Sequence, residues 1–135
     1  MPKAGDIVQC RFPQGASNKP GPKDRPGLVI EVEEDPEDAR GCIVRIAYGT
    51  SQDTEQRYPG EITIRATDPK AGLSKDTKFD LGNTIRLPFN SQWFATAPSR
   101  PFGDHPKRGV LNLQDLNLKR MLQAAIAEAK EARRL

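Results

Sequence analysis

The chain has little of what metal and nucleophile chemistry requires. Its 135 residues include one histidine, His105, and two cysteines, Cys10 and Cys42, that are well separated. One imidazole and two separated thiols do not have the spacing of a zinc site, and the acidic run from Glu33 to Asp38 lacks the arrangement of an EF-hand. His105 lies between prolines with no nucleophile signature beside it. We therefore predict no metal, no cofactor and no Ser-His-Asp or Cys-His catalytic site.

Long apolar runs are also lacking. No stretch approaches the roughly 18 residues that a membrane-spanning helix needs. No basic and apolar leader precedes Cys10, and both Cys10 and Cys42 lie in apolar strand-like patterns. Buried free thiols in a reducing compartment are the simplest interpretation, although the spacing alone leaves a disulfide open. We expect a cytoplasmic protein with no membrane partner.

The net charge is small, but it is unevenly distributed. The 21 basic and 18 acidic residues give +3, which by itself does not indicate nucleic-acid binding. The segment from Arg11 to Arg25 has four basic residues and one acid, Asp24, whereas Glu31 to Asp38 has six acids and no base. The sequence therefore predicts a basic side and an acidic side.

Apolar and polar residues alternate in five short segments, and this period of two is typical of half-buried strands. Their connections are rich in proline, glycine and aspartate, which favours antiparallel neighbours joined by turns. We predict a mainly β fold, a small antiparallel barrel or sandwich over about residues 5–89, and barrel closure would remove exposed edges. The five segments are 8–12, 28–32, 42–48, 62–64 and 85–89.

The C-terminal segment has helical periodicity. Leu118, Met121 and Leu122 recur at helical spacing, and Asp115 suits an N-terminal cap. This spacing predicts a helix over about 115–134 that covers the barrel with that apolar stripe. The length of the chain fits one domain, residues 1–135.

Three connections have distinct compositions. Residues 13–24 are rich in proline, glycine and lysine, which predicts a mobile basic loop. Residues 33–41 read as a solvated acidic hairpin connection. Residues 91–109 form an irregular insert with Trp93, Phe94, Phe102 and His105, which either covers an open end of the barrel or binds a partner.

The remaining candidate chemistry uses arginine and hydroxyl groups on RNA, which carries its own nucleophile in the 2′-hydroxyl. Arg25 can donate two parallel hydrogen bonds to phosphate oxygens and stays charged at any working pH. Thr50 and Ser51, at a strand end, can orient the phosphate or the 2′-hydroxyl, and Gln52 can contact a base edge. A surface salt bridge for Arg25 and a simple turn for Thr50 and Ser51 are the competing interpretations.

Four short strings occur in a fixed order: GDIV at 5–8, DRPGLVI at 24–30, AYGTSQ at 47–52 and YPGEI at 58–62. In order and spacing this series resembles the MazF/PemK (Kid-like) family of toxin endoribonucleases of toxin-antitoxin systems, from about Gly5 to Phe89. The resemblance implies an SH3-like barrel with a C-terminal helix, a homodimer, and neutralisation by an antitoxin protein.

The resemblance also implies an active site. The family's Arg-Pro motif matches Arg25-Pro26, and its threonine after the third strand matches Thr50. In the family both act in metal-independent cleavage of single-stranded RNA, which leaves a 2′,3′-cyclic phosphate and a 5′-hydroxyl. The side chains expected to bind the RNA are Ser51, Gln52, Lys19, Lys23, Arg11 and Arg86.

One departure from the family pattern bears on catalysis. Where many members carry an acid, this chain has Asn83, and the nearby Asp80 has an uncertain register. The alternative is a non-catalytic binding module on the same scaffold, which would bind a protein or would bind nucleic acid through a basic set that includes Arg108. A third interpretation is an interaction domain specialised by residues 91–109.

Overall fold

The computed structural model describes residues 1–14, 17–98 and 105–132. Six strands form one antiparallel sheet in the order β4-β5-β3-β2-β1-β6, followed by one helix. The mainly β class with a C-terminal helix is therefore confirmed. Within these residues no helix is long and apolar enough to cross a membrane. The elements are β1 (Asp6–Cys10), β2 (Arg25–Asp35), β3 (Asp38–Thr50), β4 (Glu61–Ile64), β5 (Thr77–Pro88), β6 (Lys107–Val110) and α1 (Leu116–Glu131).

The sheet is open, whereas the sequence favoured a closed barrel. The segment between β4 and β5 lies beside the edge formed by β6. The Val110 amide donates to the Lys70 carbonyl at 2.8 Å, and Arg108 Nε donates to the Gly72 carbonyl at 3.1 Å. Gly109 permits this approach, because a Cβ there would lie 2.3 Å from the Lys70 carbonyl oxygen. Backbone packing thus covers part of the β6 edge without strand pairing.

Strands extend into two segments that the sequence left as connections. The acidic segment 33–41 is mostly paired, because β2 continues to Asp35 and β3 begins at Asp38. Its Glu33 forms an ion pair with Arg86, and Glu31 just before it forms one with Arg45 at 3.2 Å. The second case is β6, a four-residue strand that pairs with β1 inside the expected irregular insert.

The two faces of the sheet carry two apolar clusters. The face under α1 includes Ile7, Leu28 and Phe79, and the opposite face includes Val8, Val29 and Ile46. The clusters alternate residue by residue in β1 and β3 as predicted, but the bulges in β2 and β5 move later residues to the other face, and β1 is buried on both faces and not half-buried. The second cluster also includes Trp93 and Phe94, which are 9% and 3% exposed. These two aromatic residues therefore pack inside this chain, and they are not available as a surface patch; Phe102 lies outside the described residues.

Helix α1 begins after Asp115, whose carboxylate accepts hydrogen bonds from the Asn117 and Leu118 amides at 3.0 and 3.3 Å. The predicted cap is therefore confirmed. The helix packs on the sheet through Leu118, Ala125 and Ala129, whereas Met121 remains 39% exposed. Small alanines allow the close helix-to-sheet contact, so the buried stripe differs from the predicted one at Met121. The predicted end at residue 134 lies outside the described residues.

Cys10 and Cys42 are both buried and both free. Burial raises the pKa of the Cys10 thiol to about 12, so the thiolate is not populated near neutral pH. The interpretation of these cysteines as buried apolar residues is confirmed.

Candidate active site

The two residues expected to be catalytic lie at the same end of the sheet. Arg25 is the first residue of β2, and Thr50 is the last residue of β3. Gly27 pairs with Tyr48 in the antiparallel register, so continuing that register by two residues places Arg25 opposite Thr50. Alternation along the strands puts both on the face that also carries Gly27 and Tyr48. The fold thus brings together two side chains that are distant in sequence.

Two glycines allow the close packing beneath this strand end. A Cβ at Gly27 would lie 2.4 Å from Ile46 Cδ1 and 2.9 Å from Phe12 Cζ. A Cβ at Gly49 would lie 2.5 Å from the carbonyl oxygen of Pro26. The motif glycine after Arg25-Pro26 and the glycine before Thr50 are therefore needed for packing.

An aromatic pair lies next to the strand end. The Phe12 and Tyr48 rings pack edge to face, with 5.0 Å between their centroids. Phe12 is buried, and Tyr48 is half-buried. This pair forms an apolar floor on the same sheet face as Arg25 and Thr50.

Arg25 is exposed, and within the described part of the chain its guanidinium makes no hydrogen bond or ion pair. All its donors are therefore available to a ligand. The Thr50 hydroxyl oxygen accepts a hydrogen bond from the Gln52 amide at 3.1 Å, which leaves its proton free to donate. Ser51 and Gln52 are exposed in the loop that follows. This strand end therefore offers a phosphate both an available cation and a hydroxyl donor.

A buried lysine fixes the loop after Thr50. Lys78 pairs with Thr50 in the β3–β5 register, and its side chain is only 6% exposed. Its ammonium donates to the carbonyls of Asp53 and Gln56 at 3.1 and 3.2 Å and lies 3.3 Å from Glu61 Oε1. Sequence reasoning missed this lysine, because nothing in the local sequence distinguishes it from a surface residue.

The other basic residues near this end differ in availability. Arg11 donates to the carbonyls of Ser91 and Gln92 at 2.7 and 3.3 Å, so its guanidinium holds the insert. Lys19 and Lys23 are exposed in the loop between β1 and β2. That loop is anchored at Gly21, whose amide donates to the Arg11 carbonyl at 3.3 Å. Its mobility stays a prediction.

Arg86 is not brought to this end. It pairs with Arg45 in the β3–β5 register and forms an ion pair with Glu33 at 2.6 Å. The hairpin tip at Asp35 lies roughly 30 Å from Arg25 along β2, at about 3.3 Å per residue. The acidic hairpin and the basic strand end therefore occupy opposite ends of the same two strands.

Asn83 is exposed in an irregular part of β5. The register with β3 passes from Phe79 opposite Gly49 to Thr84 opposite Ala47, so residues 80–83 bulge from the ladder. Asp80 is half-buried, and its Oδ1 accepts a hydrogen bond from the Gly82 amide at 2.9 Å. An amide side chain cannot accept a proton at working pH, so Asn83 cannot replace the family's acid.

A cleft of about 230 Å³ opens at the same strand end, and sequence reasoning did not predict it. Its walls include Arg25, Ser51 and Lys75, together with a hydrogen-bonded network below them. In that network Gln9 Nε2 donates to Asp24 at 2.6 Å, and Arg108 Nη1 donates to Gln9 Oε1 at 2.7 Å. Burial lowers the pKa of Arg108, partly offset by the Asp24 charge.

The lone histidine is half-buried, and its Nδ1 accepts a hydrogen bond from the Lys107 amide at 3.1 Å. Desolvation lowers the pKa of His105, which favours the neutral ring. The ring packs 5.8 Å from the Phe89 centroid. Over the described ranges, no group of three or more His, Cys, Asp or Glu side chains is arranged to hold a metal ion.

The fold and the strand end define a small antiparallel β protein with an open polar site that presents a cation and hydroxyl groups. Residues 3–91 match the family described as PemK-like, MazF-like toxin of type II toxin-antitoxin system. The match covers well over half of the chain, so this protein belongs to that family. No curated protein matches the chain.

Proposed function

We propose that this protein is a toxin endoribonuclease that cleaves single-stranded RNA without a metal ion, in the cytoplasm. The observation that carries the proposal is the placement of an unpaired Arg25 beside Thr50 at the open end of β2 and β3. Membership of the PemK-like, MazF-like toxin family supports the general class of activity. The reaction is assigned to groups on this chain, the RNA itself and water.

The reaction is an internal phosphoryl transfer. The 2′-oxygen attacks the adjacent phosphorus, the P–O2′ bond forms and the P–O5′ bond breaks, which leaves a 2′,3′-cyclic phosphate and a 5′-hydroxyl. Arg25 binds the non-bridging oxygens and stabilises the charge that develops on them. Thr50 donates a hydrogen bond from its hydroxyl to a phosphate oxygen, and Ser51 and Gln52 hold the flanking nucleotide.

The proton of the 2′-hydroxyl needs an acceptor, and Asn83 cannot serve. Asp24 directly precedes Arg25, is exposed, and accepts a hydrogen bond from Gln9 at one carboxylate oxygen. We assign the proton transfer to its other oxygen, while the leaving 5′-oxygen takes a proton from water. Asp80 is less suited, since it is half-buried on β5 whereas Asp24 is exposed next to Arg25.

The proposal is tested with a long unstructured RNA incubated with purified protein in EDTA. The expected products end in a 2′,3′-cyclic phosphate and begin with a 5′-hydroxyl, which a kinase and a cyclic-phosphate-specific ligation distinguish from other ends. Intact RNA would remove the enzymatic proposal. Products with 5′-phosphate ends would show a different reaction.

We further propose that the protein acts as a homodimer and is neutralised by an antitoxin. Family membership supports both proposals. Trp93 and Phe94 are buried in one chain, so the self-complementary patch must use other residues. Light scattering over a concentration series should give a mass near twice 14.9 kDa. A monomer at every concentration would exclude a groove shared by two subunits.

A second candidate function is a binding module on the same scaffold without catalysis. Asn83 in place of the family's usual acid favours this alternative. The two functions separate in one experiment, because a binding module retards single-stranded RNA or a protein partner but leaves the RNA ends unchanged.

A further inference from the structure

The cleft beside Arg25 contains a buried cation that has no ion-pair partner within the described residues. Arg108 lies on β6, is 9% exposed and lines the cleft. Its Nε donates to the Gly72 carbonyl and its Nη1 to Gln9, so two of its five N–H donors are used. Both partners are neutral. The nearby Asp24 charge offsets only part of the cost of burying this cation, and a bound anion would offset more of it.

The other charged side chains that line the cleft are also mostly cationic. Arg25 and Lys75 line it and are exposed, and Asp24 is the only acid in the lining. The Asp24 carboxylate is already engaged by Gln9, which separates it from Arg108. Three cationic side chains against one carboxylate favour an anionic ligand.

Side chains with hydroxyl groups also line the cleft. Ser51 and Ser74 line the cleft and are exposed to it. Thr77 also lines it, but its hydroxyl donates to the Lys75 carbonyl at 3.0 Å. The cleft therefore combines cations with neutral donors, which is the composition of a phosphate site.

We propose that this cleft binds a second phosphate group of the RNA, next to the phosphate held by Arg25, through Arg108 and Lys75. This inference rests on the proposed function, since it extends the same RNA path from Arg25 into the cleft. Arg108 lies beyond the residues that match the family, which end at 91. The other lining residues of the cleft, including Lys75, lie within the matched residues.

The test uses an oligodeoxynucleotide, which cannot be cleaved because it has no 2′-hydroxyl, so that binding is measured apart from catalysis. Lys75→Ala is the main variant, since its exposed side chain makes no contact within the described residues and the fold should be unaffected. Lys119→Ala, an exposed helix lysine outside the cleft, is the matched control.

We expect Lys75→Ala to weaken binding about three- to tenfold and to make the salt dependence shallower by about 0.7, the value for one lost contact to a single strand. Arg108→Lys, which keeps the charge but loses the forked donor, should weaken binding further when it is compared with wild type at a temperature where both proteins are folded. Lys119→Ala should change neither quantity. Equal affinity and equal salt slope for Lys75→Ala and wild type would overturn the proposal.

Inorganic phosphate separates two sources of the anion. If the subsite belongs to RNA, phosphate should compete with the oligonucleotide only weakly, at concentrations far above those of the oligonucleotide. Tight phosphate binding that leaves oligonucleotide affinity unchanged would show a small-anion site and would contradict the proposal. If the wild-type protein does not cleave RNA but Lys75→Ala still weakens oligonucleotide binding, the enzyme proposal is rejected and the subsite proposal stands.

Discussion

Lys78 lies directly opposite Thr50 between β5 and β3, and its buried ammonium holds the backbone of the loop that Thr50 begins. The lysine has Glu61 as its charge partner, and the side chains are 6% and 13% exposed. A buried ion pair with further hydrogen bonds resists removal of one partner, because the other charge is left without compensation. The strand end is therefore rigid on the side of Thr50.

The first prediction concerns this pair. Lys78→Met should lower the free energy of unfolding by roughly 3 to 5 kcal/mol, the usual cost of breaking a buried ion pair. Glu61→Gln should lower the free energy of unfolding by less, since the amide oxygen still accepts hydrogen bonds. Denaturant unfolding measures both values, with Lys75→Ala as an exposed-lysine control from the same region. Equal stability of Lys78→Met and wild type would contradict the role given to Lys78.

The second prediction concerns the loop between β1 and β2. Lys19 and Lys23 are expected to contact phosphates and not bases, so replacing both by alanine should weaken RNA binding evenly across sequences. The salt dependence should become shallower by up to about 0.7 for each lost contact. Anisotropy titrations on several oligonucleotides provide the measurement. A changed sequence preference with an unchanged salt slope would show base contacts.

The third prediction concerns acid stability. Glu128 forms an ion pair with Arg57 and accepts a hydrogen bond from the Gly60 amide, and these two contacts lower its pKa. A carboxyl group whose pKa is lower in the folded protein stabilises the fold at pH values above its unfolded pKa of about 4.3. This stabilisation is lost as the pH falls through the folded pKa. Glu128→Gln should therefore lower the melting temperature near neutral pH.

The same difference should shrink as the pH falls through the lowered folded pKa of Glu128, below which both proteins carry a neutral group at this position. Thermal unfolding across a pH series measures it. Glu131→Gln, on the exposed end of the same helix, is the control and should show no such pattern. A melting-temperature difference that stays constant into strong acid would contradict the assignment.

The sequence predicted much of the fold because the apolar alternation is strong in five of the six strands. It missed β6, whose four residues include Lys107 and Arg108 and have no apolar alternation of their own. This strand forms because β1 on one side and the Lys70 carbonyl on the other supply its hydrogen bonds. Such pairing depends on tertiary neighbours and leaves no local signal.

The site was predictable in part. The order of the short strings was enough to place Arg25 and Thr50 at strand ends, and the register brings those ends together. Arg108 reads in the sequence as an exposed cation, but its partner Gln9 is 99 residues away in the chain. Arg86 reads as a site residue, and only the strand register shows its separation from Thr50 and its pairing with Glu33.

The fourth prediction concerns the proton acceptor. Asp24→Asn should lower RNA cleavage by about 10²-fold or more, the usual contribution of general base catalysis. It should not weaken binding of an oligodeoxynucleotide, because the amide oxygen still accepts the hydrogen bond from Gln9 and the cleft loses a negative charge. Asp80→Asn should have a smaller effect on the rate. A larger loss of cleavage rate in Asp80→Asn than in Asp24→Asn would assign the proton transfer to Asp80.

The central claim is that Arg25 stabilises the charge on the phosphate during metal-independent RNA cleavage, and single-turnover cleavage in EDTA tests it most directly. Arg25→Ala should lower the rate by about 10² to 10³ fold with a nearly unchanged melting temperature, and Arg25→Lys should restore little because the forked geometry is lost. Arg40→Ala, an exposed arginine near the far hairpin, is the control. Equal rates for wild type and Arg25→Ala would contradict the account.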